Sequence, residues 1–148
     1  MRAAQNTSRN PIGSCQGPVH DLRWIRDFTG GPFSLEQEFN EFILNLANGT
    51  PQVIRETLEE SFRMRVGNRI VFTHADLSPR NIIVRDGRIC ALLDWEYSGW
   101  YPEYWEYIKF FDRPTGCKGW YDLAMEIFET RYPSELLSHQ AAIRWQRP

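Results

Sequence analysis

A polar loop between two short apolar segments constrains the fold of this chain more than any other sequence feature. The loop reads His74-Ala-Asp-Leu-Ser-Pro-Arg-Asn81. Residues 70–72 before it and residues 82–84 after it are all Ile, Val or Phe. Short apolar runs of this kind predict buried strands. We therefore expect the loop to connect two strands and to present polar side chains where one strand ends and the next begins.

A hairpin is predicted directly after the loop. Asp86-Gly87 favours a two-residue turn, because both turn positions need positive φ and these residues tolerate it. The flanking segments 82–85 and 88–93 then form the strands, with Asn81 at the entrance of the hairpin and Asp94 at its exit. Antiparallel strands of similar length bring their ends together. We therefore expect Asn81 and Asp94 to be neighbours in space.

Three side chains around this loop have the chemistry that phosphoryl transfer needs. Transfer of a phosphoryl group to a hydroxyl requires a metal ion, an aligned acceptor and a carboxylate that accepts the proton. Asp76, in the middle of the loop, suits the role of that carboxylate. Asn81 offers a neutral carbonyl oxygen to Mg²⁺, and Asp94 offers a charged oxygen. The pattern therefore predicts a catalytic base and two metal ligands.

Composition and charge exclude several other classes of protein. The 148 residues are enough for one domain. A net charge of −2 and a pI of about 5.9 give no basic surface for nucleic acid or anionic membrane. The chain contains no apolar run near the ~18 residues of a membrane helix, and residues 1–10 lack the apolar core of a signal peptide. Cys15, Cys90 and Cys117 show no CxxC spacing and are typical of reduced thiols, so a cytoplasmic location is predicted.

Two helices are predicted before the loop. Ser34 with Gln37 three residues later is typical of a capping box, and Asn48-Gly49 supplies a stop. Thr50-Pro51 predicts the start of a second helix, which Gly67-Asn68 would end. Apolar residues at helical spacing in both segments predict that the two helices pack against each other as a hairpin, and the buried face of the second helix would include Val53.

The rest of the chain predicts a mainly helical protein. An aromatic loop is expected over residues 95–102, followed by a helix at about 103–111 and another around 120–128. Pro133 separates these from a last helix, and the polar residues 1–18 are expected to form a flexible N-terminal arm. The predicted fold class is mainly α with a small β hairpin, an α+β domain.

The loop also resembles a known family. His74-x-Asp76-Leu77-x-x-x-Asn81 is similar to the kinase catalytic loop, but Ser78 stands where Ser/Thr kinases carry Lys. Asp94-Trp95-Glu96 stands in place of Asp-Phe-Gly, and no Ala-Pro-Glu follows. Residues 70–111 instead strongly resemble the aminoglycoside phosphotransferase and choline kinase-like family, including Gly99-Trp-Tyr-Pro-Glu103 before a helix. Gly30-Gly31-Pro32-Phe33 and the Tyr/Trp-rich segments are most similar to its fungal branch.

The resemblance implies a fold, cofactors and residue roles. Residues 19–148 would form the C-terminal helical lobe of the protein-kinase-like fold. Asp76 would be the catalytic base, and Asn81 and Asp94 would bind Mg²⁺ with ATP or another nucleoside triphosphate. His74 would brace the loop, and Arg80 is a candidate for contact with phosphate. The partner would be a small molecule that carries the acceptor hydroxyl.

The N-terminal lobe of that family has no counterpart in the sequence. In the family, this lobe has five strands and a helix, with a phosphate-covering loop, a Lys for the α- and β-phosphates and a Glu that pairs with it. About 70 residues precede the catalytic loop here, they predict helices and loops, and the first lysine is Lys109. Arginine does not readily replace that Lys. We therefore expect a truncated kinase-like protein that is inactive alone and needs an upstream segment or a partner chain for the missing lobe.

Three functions remain open at this point. The first is a small-molecule phosphotransferase that retains only the helical lobe. The second is a catalytically inactive remnant that serves as a binding or scaffold module, or simply a truncated gene product, and the third is a fragment of a protein kinase. An upstream or partner segment with a glycine-rich β lobe would favour the first.

Several residues near the loop allow a structural interpretation beside a functional one. Glu103 and Glu106 could bind a cationic acceptor, although a charged helix face is more common. Cys90 in the second hairpin strand is expected to be a small buried hydrophobe. The aromatic residues after Asp94 could line a pocket for an amine or an apolar substrate, but core packing is favoured for most of them. They are Trp95, Tyr97, Trp100, Tyr101, Tyr104 and Trp105.

Overall fold

The computed structural model describes residues 11–20, 29–64, 66–112 and 115–145. In this part of the chain, five helices accompany three small antiparallel sheets. The mixed α+β class is thus confirmed. Within these ranges, no helix has the length and apolar character needed to cross a bilayer.

The order of elements agrees with the predicted sequence of helices, hairpin and helices. The helices are Glu36–Leu46 (α1), Gln52–Arg63 (α2), Trp105–Phe111 (α3), Ala124–Ile127 (α4) and Pro133–Arg144 (α5). The strands are Gly13–Ser14 (β1), Val19–His20 (β2), Thr29–Gly30 (β3), Ile70–Thr73 (β4), Ile82–Arg85 (β5), Arg88–Leu92 (β6) and Gly99–Pro102 (β7). Two 3-10 turns cover Pro79–Asn81 and Tyr121–Leu123.

The central strand of the three-stranded sheet was missed by sequence reasoning. The sheet has the order β1-β7-β4, yet β7 lies inside the segment 95–102 that was predicted as an aromatic loop. Its residue Gly99 pairs with Thr73 at the end of β4. A Cβ on Gly99 would lie 2.1 Å from the carbonyl oxygen of Gly13, so only glycine allows β1 to approach this closely. The strand therefore depends on neighbours that are distant in sequence.

The β5–β6 hairpin is confirmed. Asp86 and Gly87 have φ values of 52° and 71°, as a primed two-residue turn requires. The register shifts between Ile83, which pairs with Ala91, and Val84, which pairs with Ile89, so that one residue of β6 is unmatched. Such a bulge twists the ribbon.

The unmatched residue of the bulge is Cys90, and its side chain is exposed. The prediction that Cys90 is a buried hydrophobe is therefore wrong. In a two-stranded ribbon, a side chain is buried only if another layer covers its face.

Helix α1 begins one residue later than predicted. The N-cap is Leu35, and the Glu38 carboxylate accepts from the backbone N–H groups of Ser34 and Leu35 at 2.9 and 3.3 Å. The capping acid is thus Glu38, and the predicted pair of Ser34 with Gln37 is wrong. Glutamate in the first turn satisfies these donors with a charged acceptor, which also suits the positive end of the helix dipole.

The predicted helical hairpin is confirmed, with corrections at its ends. Pro51 is the N-cap of α2, and the helix ends at Arg63, before the predicted stop at Gly67-Asn68. Val53, predicted to be buried, is 77% exposed. Helices α1 and α2 share one apolar cluster with α5, formed by Leu44, Ala47, Leu58 and Ala142.

Helix α3 separates the two larger apolar clusters. Trp105 and Ile108 face the first cluster, whereas Tyr107 and Phe110 face the second. Of the aromatic residues after Asp94, core packing is confirmed for four, which are buried, whereas Trp95 is 40% exposed. The buried four are Tyr97, Tyr101, Tyr104 and Trp105.

The predicted N-terminal arm, residues 1–18, is partly described. Residues 1–10 lie outside the described residues, but Ile12 is buried in the first cluster and pairs with Phe33. Gly13 and Ser14 pair with β7. The part from residue 11 onward is thus packed against the domain, and the prediction of a separate arm does not hold for it.

Candidate active site

Five of the eight residues of the loop after β4 are polar or charged, yet four of these five are buried. His74, Asp76 and Asn81 are 0%, 5% and 5% exposed. Buried polar groups are costly unless they are hydrogen-bonded. The structure of the loop is therefore explained by the partners that these groups find.

The backbone of the loop is anchored by Glu106 in the first turn of α3. Its carboxylate accepts from the N–H of His74 at 2.6 Å and from the N–H of Ala75 at 3.2 Å. Ala75 has a φ of 63°, a conformation that is strained for a residue with a side chain and so needs support. Both interpretations of Glu106 from the sequence, a cation site and a charged helix face, are therefore wrong, because its carboxylate binds the backbone of the loop. The role was missed because it depends on a contact between residues about 30 positions apart.

The ring of His74 connects the loop to the exit of the hairpin. Nε2 lies 2.8 Å from the carbonyl oxygen of Leu93, and Nδ1 lies 3.2 Å from the backbone nitrogen of Asp76. A carbonyl oxygen only accepts, so Nε2 carries the proton and Nδ1 accepts from Asp76. This assigns the neutral Nε2–H tautomer and supports the predicted bracing role.

Asp76 and Asn81 are joined by side-chain hydrogen bonds. Asn81 Nδ2 donates to the Asp76 backbone carbonyl at 2.9 Å and to Asp76 Oδ2 at 3.0 Å. Since both contacts use the amide nitrogen, the carbonyl oxygen Oδ1 of Asn81 is oriented away from Asp76. That oxygen is the atom with which an asparagine binds Mg²⁺.

Arg80 lies against the candidate base. Its Nη2 is 2.7 Å from Asp76 Oδ2, and the Arg80 side chain is 46% exposed whereas that of Asp76 is 6% exposed. The predicted contact of Arg80 with phosphate stays a prediction. The buried hydroxyl of Ser78 has no hydrogen-bond partner among the described residues.

Asp94 is placed beside Asn81 through the residue that precedes it. The N–H of Leu93 donates to the Asn81 carbonyl at 2.8 Å, and the carbonyl of Leu93 accepts from His74. Asp94 follows with a φ of 61° and is exposed. The structure thus confirms that the entrance and exit of the hairpin meet. The backbone of Asp94 is in the left-handed region, which is constrained for a residue with a side chain.

The oxygen donors of this site are few. Among the described residues, no group of three or more His, Cys, Asp or Glu side chains could hold a metal. The predicted pair, Asn81 and Asp94, supplies one amide oxygen and one carboxylate. Mg²⁺ commonly takes only one or two carboxylates and completes its shell with water and phosphate oxygens, so the pair fits a metal that arrives with a nucleotide.

Glu103 is used outside the site. Its Oε2 lies 2.6 Å from Arg69 Nη2, next to the start of β4. The hydrogen bond and the charge of Glu103 raise the pKa of Arg69 above its ordinary value. Neither reading offered for Glu103, a cation site or a charged helix face, accounts for this pairing.

Fold and site together define a class of protein. A strand, a buried loop and a hairpin bring an acid and an amide next to a second acid, which is the kind of arrangement expected in phosphotransferases. The model of the phosphotransferase enzyme family matches residues 14–134, and the chain belongs to this family. This confirms the resemblance to aminoglycoside phosphotransferases and related kinases at the level of the family. No curated protein and no solved structure matches the chain.

Proposed function

We propose that this chain serves ATP- and Mg²⁺-dependent phosphoryl transfer to a hydroxyl of a small molecule. The observation that carries the proposal is the joined geometry of Asp76, Asn81 and Leu93-Asp94. Membership of the phosphotransferase enzyme family supports it. Asp76, held at its backbone by His74, is the candidate base.

The residues have separate roles in the proposed reaction. The acceptor hydroxyl gives its proton to the Asp76 carboxylate while its oxygen forms a bond to the γ-phosphorus. The bond from that phosphorus to the bridging oxygen breaks, and the electron pair leaves with ADP. Asn81 Oδ1 and the Asp94 carboxylate would hold the Mg²⁺, which neutralises phosphate charge when it is bound.

We further propose that the described part is the C-terminal lobe of a protein-kinase-like fold. The first lysine of the chain, Lys109, is buried, and its Nζ lies 2.6 Å from Asp112 Oδ2. It serves an ion pair inside the helical region, so the lysine for the nucleotide phosphates would come from another segment or chain. A β-rich lobe supplied in this way would complete the ATP site. We also propose that the chain is part of the fungal branch of the family.

A non-catalytic role as a binding or scaffold module is the second candidate. The feature that favours it is the Arg80 guanidinium on the carboxylate that should receive the proton. In that case the buried network around Asp76 would be structural, and nucleotide binding would be absent.

Titration of the chain with MgATP, followed by backbone amide chemical shifts, distinguishes the two. We expect weak binding that shifts the amides of residues 76–81 and of Asp94. Asp94→Asn should abolish these shifts. Asp86→Asn is the matched control, because Asp86 is also exposed and has a φ of 52°, close to the 61° of Asp94.

Shifts of equal size in Asp94→Asn and in the unmodified chain would contradict the assignment of Asp94. If the chain is supplied with a complementing β lobe and transfers phosphate, Asp76→Ala should abolish turnover. Retained turnover would remove Asp76 as the base.

A further inference from the structure

We propose that the acceptor of this site carries an anionic group, a carboxylate or a phosphate, and that Arg80 selects it. This inference rests on the proposed function, because it concerns the molecule whose hydroxyl approaches Asp76. It narrows the acceptor from any small hydroxyl compound to a hydroxy acid or a phosphorylated hydroxyl compound.

The cationic side chain of Arg80 lies next to the candidate base. Arg80 is four residues from Asp76 in the same loop, and the 3-10 turn Pro79–Asn81 fixes it there. Asp76 is almost fully buried, whereas nearly half of the Arg80 side chain is exposed. A molecule that comes from solvent to the Asp76 carboxylate therefore meets the guanidinium.

The Arg80 guanidinium has N–H donors that Asp76 does not use. The contact with Asp76 uses Nη2 alone, and Nε and Nη1 have no hydrogen-bond partner among the described residues. A guanidinium has five N–H donors in a planar fork that matches a carboxylate or a phosphate. Arg80 can thus keep Asp76 in place and bind an anion of the acceptor with its remaining donors.

The acidic side chains near the loop already have other partners or roles. Recognition of a cationic acceptor would need carboxylates that face it. Glu106 is bound to the backbone of the loop, and Glu103 is paired with Arg69. Asp94 is the proposed metal ligand, so its charge would be offset by Mg²⁺. The charges of Asp76 and Arg80 offset each other, so the unused N–H donors of Arg80 are the charged groups left to contact the acceptor, which disfavours an amine and favours an anion.

The experiment compares three hydroxyl compounds of similar size and different charge, namely glucuronate, glucose and glucosamine. Binding to the full chain is followed by amide shifts of residues 76–81 at constant ionic strength. We expect glucuronate to bind at least about tenfold more tightly than glucosamine, with glucose between them. Sodium acetate, which lacks the hydroxyls, should shift these amides much less.

The variants assign the preference to Arg80. Arg80→Gln should reduce the affinity for glucuronate to that for glucose, Arg80→Lys should keep part of the preference, and Arg80→Glu should reverse it. Arg69→Gln is the matched control, because it removes an arginine–carboxylate contact of similar length, 2.6 Å against 2.7 Å, that lies outside the site. The preference should be unchanged in this control.

Several outcomes would overturn the inference. They are equal or tighter binding of glucosamine, absence of binding by all three compounds, equal shifts with acetate, and an unchanged preference in Arg80→Gln. MgATP titration of Arg80→Gln separates this inference from the proposed function. If MgATP binds but the three hydroxyl compounds show no charge preference, this inference alone is wrong. If a preference that depends on Arg80 is found but MgATP does not bind, the proposed phosphoryl transfer is wrong and the site binds anions only.

Discussion

The loop 74–81 and the hairpin that follows it are adjacent in the chain but are held in different ways. His74, Asp76 and Asn81 in the loop are at most 5% exposed, whereas every residue from 83 to 90 in the hairpin is exposed. Besides the hydrogen bonds within it, the loop is bound to distant residues, Glu106 and Leu93. The hairpin is determined by its own turn and by the pairing of its two strands.

This difference indicates where the precision of the site comes from. A buried loop with fixed partners can keep an acid and an amide within hydrogen-bond distance, which an exposed hairpin cannot do alone. The hairpin contributes by returning the chain to Leu93, where both the loop backbone and the His74 ring bind it. We therefore expect changes in the partners of the loop to have larger effects than changes in the hairpin.

Removal of the loop anchor should have the largest effect. Glu106→Ala leaves the N–H groups of His74 and Ala75 without their acceptor, and each buried unsatisfied donor costs about 1–3 kcal/mol. We expect the free energy of unfolding to fall by about 3 kcal/mol in urea denaturation. Glu103→Ala is the control, since its pair with Arg69 is at the surface, where solvent screens the attraction and only a small loss of stability is expected. Equal losses in the two variants would contradict the anchoring role.

Loss of the connection between loop and hairpin should rank second. The ring centroids of His74 and Trp95 are 4.6 Å apart. His74→Phe keeps an aromatic ring at this position but removes both hydrogen bonds of the imidazole. We expect a loss of about 2 kcal/mol, together with faster hydrogen exchange at the Asp76 amide. Unchanged exchange there would mean that the Nδ1 contact does not hold the loop.

The acid–amide pair should respond to Mg²⁺ when its charge is changed. Asn81→Asp places a second carboxylate against Asp76, which should cost about 1–2 kcal/mol without metal because like charges repel in a buried site. Mg²⁺ should restore part of this stability and should stabilise the variant more than the unmodified chain. Asn81→Ala should show the loss without the recovery. Equal responses of the two variants to Mg²⁺ would argue against a metal site here.

The smallest effect is expected in the hairpin turn. Gly87→Ala must hold a φ of 71°, which disfavours a residue with Cβ and costs about 1 kcal/mol. Because the turn is exposed and local, hydrogen exchange of the Asp76 and Asn81 amides should not change. Gly116→Ala, at a φ of 66° outside the hairpin, is the control for the general cost of this conformation. Faster exchange in the loop of Gly87→Ala alone would show that the two regions are less independent than their contacts indicate.

Sequence reasoning succeeded where structure is decided by neighbouring residues. The Asp86-Gly87 turn, the helical hairpin and the last helix follow from turn chemistry and apolar spacing over a few residues. It failed where a distant partner decides. Strand β7 exists because β1 and β4 flank it, and Cys90 is exposed because no layer formed by the described residues covers it.

The candidate site shows the same division. Asp76, Asn81 and Asp94 could be selected from the sequence because their residue types and spacing suit phosphoryl transfer, and the hairpin predicted that Asn81 and Asp94 would meet. The contact of Arg80 with Asp76 and the anchor at Glu106 could not be selected, since many charged residues have similar local patterns. The partner of Glu106 depends on which backbone groups are buried and need an acceptor.

The sequence by itself determined the identity of the polar loop, the turn that follows it and membership of the phosphotransferase family, because these depend on residue types at short spacing. Only the tertiary structure decided how the loop is held. Helix α3 brings Glu106 to the backbone of the loop, and the hairpin brings Leu93 to Asn81 and His74. The physical reason is that a buried loop must satisfy its donors and acceptors, and the elements that can do so are brought near only by folding.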